Sequence, residues 1–354
     1  MPCSHLFEPL RVGTLVLLNR LVIGPMCQYS ADNGCMTDWH LIHLGHLALS
    51  GAGLLFIEVT AVLSEGRISP GDVGLWNEET ASAMSLTIES IRRWSDVPIA
   101  IELSHAGRRG SVEAPWNGGM PIDGGSGRGW QRQAPSSLPY LSGNGAPRAL
   151  DRTDLRQIRE AFANAAVRAT QAGVDSIQIH SAEGFLLHQF LSPRSNQRGD
   201  SYGGSLQNRM RFPLEVFDTV RDAVPSHYPV TVRLPAFDGA GSGWGIEQAA
   251  TFAAQLQSRG CNAFHVTAGG LQPESPPAMR KEMVVVRAVK RVVTVPVIVT
   301  SLDPNYARVD AVVANGHVDA VALTRTILQS PRWPWNAARL LHASVETPVQ
   351  YQHV

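Results

Sequence analysis

The sequence predicts a (β/α)8 barrel, and two observations carry that prediction. Eight short runs rich in Val, Ile and Leu recur along the 354 residues, most without polar–apolar alternation. Longer stretches with helical spacing and cap residues lie between them. Continuous apolar strands suit a parallel sheet buried on both faces. Eight strand–helix units in this length close a barrel. A doubly wound sheet is the alternative, but it seldom needs eight such units.

The predicted strands begin with RLVIGP from Arg20, GLLFIEVT from Gly53, VPIAIELS from Val97 and VDSIQIH from Val174. YPVTVRL from Tyr228, NAFHVTA from Asn262, VPVIVT from Val295 and VDAVALT from Val318 complete the set. Among the helical stretches, DRTDLRQIREAFANAAVRATQAG opens with Asp151 and Thr153 as cap candidates and stops at Gly173. NRMRFPLEVFDTVRDAV, GIEQAATFAAQLQSRG and PNYARVDAVVANG follow the same plan. The whole chain, 1–354, reads as one domain. Its longest irregular segment, 108–149, follows the third strand and holds WNGGMPIDGGSGRGW, with Trp116 and Trp130 at its ends. Aromatics in so long a Gly-rich loop favour a folded lid over a linker.

The chain is 44% hydrophobic and carries 30 basic and 30 acidic residues, for a formal net charge of zero. Bulk charge therefore gives no reason to expect nucleic acid or an anionic membrane as partner. No apolar run reaches the roughly 18–20 residues of a membrane span, and MPCSHLFEPLRVG has no signal-peptide layout. Cys3, Cys27, Cys35 and Cys261 form no C-x-x-C pair. The expectation is a cytoplasmic enzyme acting on a small molecule. His40, His43 and His46 stand three apart on one predicted helix, near Cys27 and Cys35, but match no common zinc spacing, so no metal is expected.

In this fold the chemistry sits where strands end. Those ends carry Cys27, Thr60, Glu102, His105, His180, Glu183, Arg233, Thr267, Thr300 and Arg325. So many titratable groups at one barrel mouth suggest an active site. His180 and Glu183, three apart at the end of the fourth strand, are the acid–base candidates.

At these residues the chain resembles the Old Yellow Enzyme family of flavin-dependent ene-reductases, closest to its bacterial xenobiotic-reductase-like subclass. The resemblance runs nearly end to end. It rests on LFEPLRVGTLVLLNRLVIGPMCQYS, DWHLIHLGHLALSGAGLLFIEVTAVLSEGRISPGDVGLW, HAGRRGS and FLSPRSNQRGDSYGGSLQNRMRF. It implies FMN at the barrel mouth, NAD(P)H as reductant, and hydride transfer to an activated alkene. Donors gripping the substrate carbonyl stabilise developing enolate charge, and an acid protonates the α-carbon. By this resemblance Pro25, Met26, Cys27, Ala61, Glu102, Arg233, Thr300, Ser301, Thr324 and Arg325 are cofactor positions. His180, Glu183, Tyr29 and Cys27 are catalytic positions, and Phe185, His105 and Trp116 line the substrate pocket. A homodimer or homotetramer is implied as well.

Several of those positions depart from the pattern. The second carbonyl donor, His or Asn in the family, is Glu183, which when ionised only accepts. The proton-donating Tyr is Phe185, and the Gln that pairs with the flavin pyrimidine edge is Glu102. VTSLDP and Thr324-Arg325 replace glycine-bearing phosphate loops, and QYQHV offers His353 where the subclass carries an Arg that reaches a neighbouring subunit. The first reading is an FMN-dependent reductase, or reverse desaturase, with atypical acid–base residues. Its proton would come from Tyr29, water, or a Glu183 whose pKa is raised by burial beside Phe185. The alternatives are a flavin-independent isomerase, cyclase or lyase using His180 and Glu183, and a non-catalytic ligand-binding homologue. Glu102 and the phosphate loops weigh against tight FMN binding.

Overall fold

The computed structural model describes residues 4–123, 126–141, 145–238, 243–271, 279–301 and 303–352. Cys3 and His353 lie outside these residues. Among the described residues the strands are β1 (Leu10–Val12), β2 (Leu15–Leu17), β3 (Leu21–Ile23), β4 (Leu54–Ala61), β5 (Ile99–Ser104), β6 (Gln133–Ala134), β7 (Arg148–Ala149), β8 (Ser176–His180), β9 (Val230–Pro235), β10 (Phe264–Thr267), β11 (Val297–Ser301) and β12 (Ala320–Leu323). Eight of them close a parallel barrel in the order β3-β4-β5-β8-β9-β10-β11-β12, with β12 pairing back to β3. These are the eight apolar runs read from the sequence. Every residue of β4, β5, β8 and β9 is buried, which is why those runs do not alternate.

The helices are α1 (Asp38–Ala48), α2 (Glu78–Arg92), α3 (Arg152–Gln171), α4 (Leu186–Leu191), α5 (Leu206–Ala223), α6 (Ile246–Ser258), α7 (Met279–Lys290), α8 (Tyr306–Ala314), α9 (Arg325–Gln329) and α10 (Trp333–Leu340). Local chemistry sets their ends. Asp151 and Asp154 form the capping box of α3, and Gly173 takes φ +88° just past its end. Leu155, Ile158, Phe162, Ala165, Ala166 and Ala169 make up its buried stripe. In α1 the Nδ1 of the buried His40 accepts from Thr37 N–H and completes the capping box.

The barrel interior is divided by polarity. At the strand starts, Val22, Leu54, Phe56, Ala100, Ala263, Ile298, Ala320 and Ala322 pack with Val12 and Leu17 of the β1–β2 hairpin. That hairpin floors the barrel. Toward the strand ends the interior turns polar, with Glu102, Gln178, His180, Thr231, Arg233, His265 and Thr267 all buried. The registers set His180 and His265 on either side of Arg233.

The 108–149 segment is less irregular than the sequence suggests. It begins in the Gly107–Arg109 turn, holds a second turn at Pro115–Asn117, and pairs β6 with β7. Turn and bridge residues left no periodic signal to read. Among the described residues no helix is long and apolar enough to cross a membrane.

Leu17 is fully buried in the barrel floor. Leu17→Ala is expected to cost about 2–5 kcal/mol, as large-to-small core changes do. Urea unfolding should show a lower midpoint, and an unchanged midpoint would show that the hairpin is not part of the core.

Candidate active site

The mouth is organised around Arg233 of β9. Its Nη1 donates to Glu102 Oε2 at 3.0 Å and its Nη2 to Glu183 Oε1 at 2.8 Å. Thr267 Oγ1 donates to the same Glu183 oxygen at 2.8 Å. Burial works against the guanidinium charge, but Glu102 and Glu183 outweigh it and hold Arg233 firmly cationic. Burial pushes the Glu102 carboxyl up to about 7, with Arg233 pulling it down and Glu183 adding to the rise. One buried cation therefore serves two carboxylates.

The turn after β8 aims Glu183. The residue takes φ +53°, a left-handed conformation costing a non-glycine residue about 1–2 kcal/mol. Its surroundings hold it there. Arg109 Nη1 donates to the Glu183 carbonyl, and Gly184 N–H donates to His188 Nδ1 at 2.9 Å. Gln189 Nε2 donates to Gly184 O at 2.7 Å. A Cβ on Gly269 would stand 2.4 Å from Glu183 Cγ, so a glycine there lets the side chain lie against the backbone.

His180, the last residue of β8, is fully buried. Ala182 N–H donates to its Nδ1 at 3.2 Å, which places the proton of a neutral imidazole on Nε2. Burial, then Arg233 and Arg109, push its pKa well below the ordinary value, so the ring is neutral. Nε2 has no hydrogen-bond partner and lies 3.7 Å from Glu183 Oε2. Phe185 stacks on the imidazole with ring centroids 4.1 Å apart, and the Arg109 guanidinium lies 4.9 Å from the Phe185 ring centre.

The remaining expected positions fall in three places. Cys27 packs against the small cluster of Val59, Ala106 and Phe185. Burial, then Asp72, Glu58 and Glu102, raise its thiol, so it is held protonated. Tyr29 sits beside it, its phenol raised by burial and then by the Cys27 sulfur. Trp116, 65% exposed, meets the Tyr29 ring edge-on at 5.7 Å and forms the rim. Pro25 and Ala61 are buried at the ends of their strands and Met26 is half-buried. Thr300 Oγ1 lies 2.9 Å from His265 Nε2, Thr324 precedes α9 beside Gly24, and the Arg325 side chain is exposed. Ser301 ends β11.

His105 is 1% exposed, accepts from Gly107 N–H through Nδ1 at 3.0 Å, packs against Gly66 and has its Nε2 without a hydrogen-bond partner. The Glu183 side chain is 26% exposed and fastened to Arg233. Sequence reading missed Arg109, His265 and Gly269 as mouth residues, although Arg109 lay inside HAGRRGS.

The donor set suits a flavin's pyrimidine edge. Glu102 Oε1 and Arg233 Nε are buried without partners, one an acceptor and one a donor. An N3–H beside a carbonyl requires that combination.

Residues 5–343 match the NADH:flavin oxidoreductase / NADH oxidase family. The chain belongs to that family. It is an Old Yellow Enzyme-type oxidoreductase, which uses FMN with NAD(P)H as reductant. An NADH:flavin oxidoreductase of Gibberella zeae is 39% identical over 290 residues, spanning 78% of this chain and 70% of that one. An NADPH dehydrogenase of a Geobacillus species is 32% identical, spanning 99% of this chain and 98% of its own. Among solved structures, morphinone reductase superposes with a TM-score of 0.80 at 26% identity, covering 98% of this chain and 92% of its own.

Arg233→Ala would leave Glu102 and Glu183 facing each other without their cation. Breaking a buried pair this way costs about 3–5 kcal/mol, and the partly exposed Glu183 arm contributes the smaller share because water screens it. The loss should be full at pH 8, where Glu102 is ionised, and shrink as pH falls below about 7, where protonation removes its uncompensated charge. Urea unfolding at pH 8 and pH 5.5 reads this out, and an equal loss at both would contradict it.

Proposed function

We propose that this enzyme reduces the C=C bond of a carbonyl-activated alkene whose substrate also carries an N–H or ammonium group. The carrying observation is the neutral His180, its Nε2–H unpartnered at the mouth and its tautomer held by Ala182 N–H. Such a donor polarises a carbonyl oxygen and stabilises the charge that builds there. Glu102 and Arg233 hold the pyrimidine edge of FMN. Pro25, Met26, Cys27 and Ala61 border it, and Thr300, Ser301, Thr324 and Arg325 stand on the phosphate side. Bound FMN supplies the hydride transfer between NAD(P)H and substrate.

Glu183 sets the substrate preference in this reading. An ionised carboxylate near the carbonyl opposes enolate charge unless the substrate brings a cation or N–H to it. The Tyr29–Trp116 aromatic pair at the rim suits a planar or cationic group as well. Phe185 has no proton to give. Tyr29 is an expected site residue that carries an O–H, and burial keeps it protonated throughout the working range. The free thiols Cys27, Cys35 and Cys261 and the use of NAD(P)H fit a reducing, cytoplasmic setting.

Steady-state NADPH oxidation with matched enones, one neutral and one bearing an amine, tests the reading. The amine-bearing enone should be preferred by at least about tenfold. Glu183→Asn should reverse that preference, and His180→Ala should lower kcat by about 10²–10³, as loss of an oxyanion donor does. Failure to retain flavin, or no preference between the enones, would overturn the proposal.

A further inference from the structure

A continuous run of stacked side chains joins the 108–149 segment to His180. Phe185 lies on the His180 imidazole with ring centroids 4.1 Å apart and planes tilted by 31°. The Arg109 guanidinium stands over the Phe185 ring at 4.9 Å and over the Tyr140 ring at 5.5 Å. Both distances lie inside the roughly 6 Å reach of a cation–π contact.

Each member is also held from outside the stack. Arg108 Nη1 donates to Leu138 O at 3.3 Å and to Pro139 O at 3.4 Å, which ties the backbone before Tyr140 to the start of the same segment. Arg109 Nη1 donates to the Glu183 carbonyl. A Cβ on Gly184 would stand 3.3 Å from Arg109 Cδ and 2.8 Å from Leu271 O, so a glycine there gives the arginine room against the turn. Phe185 is 3% exposed and packs with Val59 and Ala106.

His180 needs such support. Ala182 N–H holds its Nδ1 at 3.2 Å, but one hydrogen bond fixes one point of a planar ring. The torsion about Cβ–Cγ is soft, and Nε2 has no hydrogen-bond partner among the described residues to resist a swing. The face of Phe185 sets the plane, and Arg109 holds that face by its attraction for the π electrons. Position 185 thus has a task that needs an aromatic face and no hydroxyl.

We propose that Phe185, Arg109 and Tyr140 are positioning residues for His180, the cation–π stack fixing the imidazole plane so that Nε2–H meets the substrate carbonyl. Tyr140 acts through Arg109, and Arg109 acts through Phe185. This rests on the reading that a carbonyl-bearing substrate lies at His180.

The test uses the flavin-loaded enzyme and 4-nitrophenol, whose phenolate oxygen mimics the enolate and whose colour reports binding without turnover. Phe185→Leu and Arg109→Met should each weaken phenolate binding about tenfold, as loss of a desolvated cation–π contact does. Each should also lower kcat on an enone by up to about 10², the cost of a misaimed group. Because the two act in series, the double variant should bind within about twofold of the weaker single variant. Tyr140 is half-buried at the outer end of the stack, so its replacement spares the core. Tyr140→Leu should weaken phenolate binding about threefold in the wild type but not in Arg109→Met, and Tyr140→Phe, which keeps the ring, should restore it. Unchanged phenolate affinity in Phe185→Leu would overturn the proposal. So would losses that simply add in the double variant, as independent packing defects do. If phenolate binding follows the series but no enone is reduced, the positioning role stands and the substrate reading fails. If His180→Ala abolishes enone reduction while Phe185→Leu and Arg109→Met reduce enones at the wild-type rate, the substrate reading stands and the stack does not position His180.

Discussion

The arrangement of the mouth depends on one guanidinium divided between two carboxylates. Arg233 is buried, and a buried cation persists only where opposite charge and hydrogen bonds replace water. Glu102 supplies one arm from across the barrel and Glu183 the other from the turn after β8. The barrel makes the first contact possible, because parallel strands bring their inward side chains to one level. The second contact needs a left-handed glutamate, a glycine at position 269 and the Arg109 bond to the Glu183 carbonyl. Three separate loops thus converge on one charge.

That sharing separates this mouth from one built to stabilise negative charge with free donors. The cation is largely neutralised before any ligand meets it. The uncharged donor left without a partner beside it is the Nε2–H of the buried neutral imidazole of His180. A neutral donor in a low-dielectric pocket is worth more than it would be in water.

Much of the fold was legible in the sequence because barrel strands buried on both faces leave continuous apolar runs. All eight such runs became barrel strands. The polar upper layer was legible in part, since His180, Glu102 and Arg233 stand at strand ends that topology brings together. His105 also stands at a strand end, but the turn that follows draws its ring onto Gly66 and Gly107 N–H, a short-range contact with no periodic signature. The pairing of Glu183 with Arg233, 50 residues apart, depends on a backbone conformation unusual for glutamate.

The most direct measurement of the shared-cation account is the midpoint potential of bound FMN in the wild type and in Glu102→Gln at pH 8, where Glu102 is ionised. Removing one of the two carboxylates that offset Arg233 should favour the reduced anionic flavin. The account predicts a rise of about 30 mV or more, equivalent to ~1.4 kcal/mol for a two-electron couple, shrinking below pH about 7 as wild-type Glu102 takes up its proton. An unchanged or lower potential in Glu102→Gln would contradict it.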